Sequence, residues 1–206
     1  SILTIFIKGL GIVITYALML FLTNFFSEEL VGEFSISNNI LLITGTICLF
    51  GANQSIYQIG GRFYNGKNKS GLKKIYTKYL IISGIIYVLL LATALLIPKT
   101  VYNEIFNEEG IYRLFLETIS FAFVYFLASL NFEVLRIFNK IKSAEFFRSI
   151  FRTLIFFIGV LFIYYFNNEL FLVEIFLLSF LVTAVITSVV VYKIFSKESQ
   201  IQILRE

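Results

Sequence analysis

The chain has 206 residues, 58% of them hydrophobic and 15% charged, with a formal net charge of +4 and a mean hydropathy of +0.87. A soluble domain is usually about a quarter charged, and surface-to-volume scaling gives so oily a chain no way to hide from water. There is no His, Asp or Trp and only one Cys, which excludes Ser-His-Asp and Cys-His catalysis, the common zinc sites, paired-Asp chemistry and an intrachain disulfide.

Six stretches carry no charge: Gly9–Ser27, Phe34–Gly61, Tyr79–Pro98, Thr118–Phe132, Thr153–Asn168 and Ile175–Tyr192. Each is close to the ~20 apolar residues that cross ~30 Å of hydrocarbon as a helix. The expected fold is all-α, an integral membrane protein built as a six-transmembrane-helix bundle. Its helices are expected near 2–27, 34–61, 77–97, 113–138, 145–166 and 171–195. No loop is long enough to hold a soluble or catalytic domain, so the chain is read as a single unit over 1–206 and not as an enzyme. No cofactor or metal is expected.

The first helix starts almost at once, with no cleavable signal peptide ahead of it, and the natural start is expected to have been trimmed. Lys8 lies about one and a half turns in, facing either a cavity or the membrane surface. A tight turn at 28–33, with Gly32, leads to the second helix. Cys48 within it reads as a small packing residue. Gly51-Ala52-Asn53-Gln54-Ser55 interrupts its inner half. Two adjacent amides in hydrocarbon need partners that lipid does not offer. Asn53 and Gln54 therefore either glue helices together or line a water-filled cavity. Gly51 and Ser55 form a small-xxx-small pair expected to admit a neighbouring helix.

A basic loop follows, from Arg62 through Lys67, Lys69, Lys73, Lys74 and Lys78. Pro98, the only proline, marks the end of the third helix, and 98–112 is the one sizeable loop on the other side. The fourth helix carries Glu117 and Glu133, roughly 24 Å apart along its axis, so that they bracket the hydrocarbon. Glu133 and Arg136 share a helical face. Glu145, Arg148 and Arg152 follow at helical spacing, expected on one face of the fifth helix. These charges read either as a snorkelling boundary with local ion pairs or as a basic vestibule for an anionic head group. A guanidinium suits phosphate because its fork bonds two oxygens at once. Asn167-Asn168 turns the chain into the sixth helix, where Ala184 and Ser188 read as a packing pair. The tail, with Ile201, Ile203, Leu204 and Arg205, reads as an interfacial anchor or the start of a linker.

All the Lys and Arg except Lys99 and Arg113 fall at one end of this arrangement, and most of the Glu in loops fall at the other. The positive-inside rule then places both termini in the cytoplasm. The basic residues are split among short loops, so no nucleic acid is expected as a partner.

The segment Ser27-Glu28-Glu29-Leu30-Val31-Gly32-Glu33-Phe34-Ser35 resembles the first outer turn of bacterial polysaccharide flippases. Phe50-Gly51-Ala52 through Gly61-Arg62-Phe63 resembles the inner half of their second helix. The whole chain is similar to the N-terminal six-helix lobe of the multidrug/oligosaccharidyl-lipid/polysaccharide superfamily, one lobe of a two-lobed MATE-like transporter fold. The resemblance implies a second lobe outside this chain, within the full-length protein or in a partner. It implies flipping of undecaprenyl-diphosphate-linked oligosaccharide across the bacterial inner membrane by alternating access. It strengthens Lys8, Asn53 and Gln54 as cavity residues and suggests Glu117 and Glu133 as proton carriers. With Arg62, Arg136, Arg148 and Arg152 these are the candidate pathway residues. A multidrug exporter of the same superfamily, preferring acidic and aromatic linings, and a non-transporting membrane scaffold subunit are the alternatives.

Overall fold

A computed structural model describes residues 2–65, 69–106 and 110–203. Lys67, Glu108, Glu109, Leu204 and Arg205 lie outside the described residues. The described chain is helical throughout: α1 Ile2–Phe25, α2 Glu28–Leu49, α3 Ala52–Asn65, α4 Lys69–Leu96, α5 Lys99–Phe106, α6 Ile111–Ser120, α7 Ala122–Ile137, α8 Ile141–Glu145, a π-helical turn Phe146–Phe151, α9 Arg152–Tyr165, a 3-10 turn Glu169–Phe171 and α10 Leu172–Ile203. Six spans among them are long and apolar enough to cross a membrane: Ile2–Phe25, Glu28–Leu49, Ser70–Leu96, Ile111–Ile137, Ile141–Tyr165 and Glu169–Ser196. The fold is an all-α bundle of multi-pass membrane type.

The outward surface has the character lipid requires. Ile12, Val13, Ile85, Val88 and Ile158 are all more than half exposed, which water would penalise and hydrocarbon does not.

Several boundaries differ from the sequence reading. The second span begins at Glu28 rather than 34, because Ser27 caps it: its hydroxyl accepts the Leu30 N–H at 3.4 Å. Glu28 and Glu29 are then first-turn residues favoured by the helix dipole rather than loop. The same span ends early. Phe50 (φ 42°) and Gly51 (φ 72°) turn left-handed, and the Phe50 N–H returns to Ile47 and Thr46 carbonyls. A left-handed cap of this kind closes a helix, so 52–61 belongs to a separate helix, α3. The Ser83 hydroxyl donates to the Cys48 carbonyl at 2.7 Å, satisfying one orphan acceptor of that end. Gly51 faces open space and makes no close approach. That role falls to Gly45, against the Tyr125 ring, and Gly60, against Leu72 and Ile137.

The third span starts at the basic loop itself, since Lys73, Lys74 and Lys78 are helical. The loop 98–112 contains a short helix, α5, whose Tyr102 hydroxyl donates to the Ala94 carbonyl at 3.2 Å. The fourth span is interrupted at Phe121, where the N–H bonds the Thr118 carbonyl in a 3-10 fashion at 3.0 Å. The interruption has an identifiable cause. Ser120 and Tyr87 hydroxyls donate to the Glu117 and Ser120 carbonyls at 2.6 and 3.0 Å and serve as substitute partners.

The fourth span is the hub. Phe126, Leu130, Val134 and Leu135 on α7 are completely buried against the second, third and sixth spans. Buried polar contacts fix its register. Ser37 and Thr118 hydroxyls meet at 2.8 Å, and Asn131 accepts from Tyr76 at 2.7 Å while donating to Thr187 and Ser188 at 3.2 and 2.9 Å. The Ala184–Ser188 face of α10 thus packs on the fourth span.

The first span lies along the fifth rather than folding tightly onto the second. Phe21 meets the Phe157 and Tyr164 rings at 6.0 and 5.5 Å. Gly11 lets the backbones approach, and a Cβ there would stand 2.7 Å from the Ser149 carbonyl oxygen. A carbonyl of the main chain cannot swing aside as a side chain would. Gly11→Ala should therefore destabilise the bundle by about 1–3 kcal/mol, the usual cost of overpacking. Thermal unfolding in detergent will show this as a lowered midpoint, and an unchanged midpoint would mean the first span is not seated there.

Candidate functional site

The second, fourth, fifth and sixth spans do not close completely on one another. Between them lies a cavity of about 500 Å³ running from Asn38 and Leu42 on α2 to Asn53 on α3. Its walls are Tyr125, Ser129, Phe132 and Glu133 of the fourth span and Phe180 and Thr183 of the sixth. The fifth span contributes Arg148 and Arg152.

The fifth span is wound unusually where these cations sit. Residues 146–151 form a π-helical turn, in which the carbonyl-to-amide spacing is one residue longer than in an α-helix. Side chains at helical spacing across it no longer share one face. Arg148 and Arg152 line the cavity, while Glu145, just before the turn, does not and pairs instead with Arg136 and, at 3.8 Å, Lys8. That corrects the expectation of one common face.

The charges at the basic end form a chain of ion pairs. Glu133 accepts from Arg148 at 2.6 Å and from Arg136 at 3.3 and 3.4 Å. Arg136 also donates to Glu145, whose second oxygen lies 3.8 Å from the Lys8 ammonium. Glu145 has a side chain only 1% exposed, whereas Arg136 is 28% and Lys8 53% exposed. The carboxylate buried deepest is thus shared by two cations that keep contact with the surroundings. Lys8, Glu133, Arg136 and Arg148 are brought together in this way.

Arg152 stands apart. Among the described residues no carboxylate pairs with it; its guanidinium lies over the Phe180 ring, 4.5 Å from the centroid. Arg148 stacks similarly on Phe132, at 5.3 Å, but already has Glu133. Arg152 also lies deep. At 1.5 Å per residue, roughly 16 Å of helix separates it from Ile141 and about 20 Å from Tyr165, the ends of its span. Removing such an ion from water costs several kcal/mol, and a cation–π contact returns only about 2.

The other candidates are placed as follows. Asn53 lines the cavity, and its side-chain oxygen accepts the Gln54 N–H at 2.9 Å, one of the orphan donors opening α3. Gln54 itself is exposed and does not line the cavity. Arg62 is exposed near the end of α3 and does not reach it. Glu117 lies toward the opposite end and lines a separate apolar pocket with Glu174. Sequence reasoning missed Tyr125, Phe180 and Thr183 as members of the site. The aromatic pair at 125 and 180, with rings 5.6 Å apart, looks like ordinary lipid-phase residues until the fold faces them at the cavity.

No family model matches the chain, and no curated protein or solved structure is significantly similar to it.

Proposed function

We propose that this chain is a transporter lobe that passes the anionic head group of a lipid-linked oligosaccharide across a bacterial inner membrane by alternating access. What supports the reading is Arg152, a cation without a carboxylate partner among the described residues, mid-span and facing a cavity. Intramembrane charges facing a cavity are by default functional, because their cost must be recovered from a ligand or partner. A diphosphate joined to a lipid tail fits that need: its charge goes to Arg152 and Arg148, and its tail remains in the bilayer. The sugar hydroxyls would travel among Asn38, Asn53, Ser129 and Thr183 instead of through hydrocarbon, where they would lose their water.

In this proposal the basic end faces the cytoplasm, a second six-helix lobe completes the far wall, and the chain performs no covalent chemistry. Export of cationic drugs receives less support, because Glu133, the one carboxylate on the cavity among the described residues, is already neutralised by Arg148 and Arg136.

The proposal is tested with the full-length protein reconstituted in liposomes with a fluorescent undecaprenyl-diphosphate saccharide, following its appearance in the opposite leaflet. A sealed scaffold makes a different prediction at Asn53. On a Cys48→Ala background, Asn53→Cys should react with a membrane-impermeant maleimide added from the basic side. Leu89→Cys, on the lipid face, should stay unlabelled. A silent position 53 would favour the scaffold.

A further inference from the structure

A second concavity lies on the outside of the bundle. It is a groove of about 550 Å³ between the third and sixth spans, near their basic ends. Leu80 and Leu127 line it from one side and Val191 and Phe195 from the other. The polar groups at its floor are satisfied internally, since Tyr76 and Ser188 are both bonded to Asn131 at 2.7 and 2.9 Å. What remains for a ligand there is a largely apolar trough that Tyr192 and Ser196 also line.

At the mouth the chemistry changes. Lys73 and Thr77 line the groove and also belong to a strip on the flank of α4 that includes Lys74 and Lys78. Positions 73, 74, 77 and 78 fall on one side of a helix because residues four apart are neighbours. None of these lysines forms an ion pair with a carboxylate among the described residues. Apolar trough and unpaired ammonium groups are therefore continuous.

We infer that this groove is a binding site for an anionic phospholipid of the leaflet bathing the basic end. One acyl chain lies along Leu80, Leu127 and Val191, and the phosphate sits among Lys73, Lys74 and Lys78. The trough alone would accept any lipid tail; the lysines select the negative head group. Basic pockets between spans have this chemistry. The inference is independent of the cavity and of what it carries.

Native mass spectrometry of the full chain, released from mixed micelles with equal phosphatidylglycerol and phosphatidylcholine, reads the site directly. The wild type should retain phosphatidylglycerol about tenfold more than phosphatidylcholine. The double variant Lys73→Gln, Lys78→Gln should lose most of that preference. Leu80→Trp, which fills the trough, should lose retained lipid of both kinds. Lys140→Gln with Lys142→Gln removes the same charge from exposed positions at the same end and should leave the preference intact. An equal loss in this control would show diffuse attraction to the basic end and overturn the inference. Unchanged retention in Leu80→Trp would overturn it as well.

Discussion

Exchanging Arg148 and Arg152 together for glutamine should slow transport of the lipid-linked saccharide by at least about 100-fold. Hydrogen bonds to a charged group contribute about 1.5–3 kcal/mol each, and a forked contact to phosphate uses two donors at once. The two residues should not contribute equally. Arg148 already spends one donor on Glu133, so its bond to a ligand replaces an existing bond. Arg152 has only the Phe180 ring to exchange. Arg152→Gln alone should therefore reproduce most of the double loss, and Arg148→Gln the smaller part. Arg152→Lys keeps the charge but not the fork and should recover only part of the rate. Transport at the wild-type rate in the double variant, at equal protein in the membrane, would end the proposal.

The second large effect concerns stability. Arg136→Leu should destabilise the bundle by about 3–5 kcal/mol, the cost of leaving a buried carboxylate without its main partner. Arg136 is itself partly exposed, but the group it abandons is Glu145, with a 1% exposed side chain and only the more distant Lys8 left. The informative result is the double variant. Adding Glu145→Leu removes the stranded charge and should restore a good part of the loss, so the pair is more stable than Arg136→Leu alone. Unfolding in detergent with increasing denaturant will give the order of the three proteins. A double variant weaker than either single one would mean that the ion pairs are not coupled as the geometry indicates.

The spans were legible because lipid imposes a simple rule: a helix in hydrocarbon must be apolar for its whole length, and a charge marks where it leaves. The rule misplaced the ends where charges are themselves helical. Glu28 and Glu29 belong to the first turn behind the Ser27 cap, and Lys73, Lys74 and Lys78 ride on the first turns of α4. The break after Leu49 announced itself through Gly51, but as a left-handed turn rather than a packing site.

The site was half legible. Charge content named Arg148, Arg152 and Glu133, yet regular spacing put Glu145 beside them. The π-helical turn that separates it has no composition of its own, since Phe146–Phe151 reads like any other apolar helix with one cation. Depth was also hidden. Arg152 sits immediately before a charge-free run and so looks like its edge, although it falls near the middle of the helical stretch Ile141–Tyr165.

The position of the first span has a consequence for how the protein is made. Its principal neighbour is the fifth span, which leaves the ribosome long after it. Until then the earlier partners of α1 in the apolar cluster it joins are Phe34 and Leu41 of the second span. The apolar sequence of α1 and its lack of acidic residues make that wait tolerable. Lys8 meets Glu145, at 3.8 Å, only once the fifth span is in place.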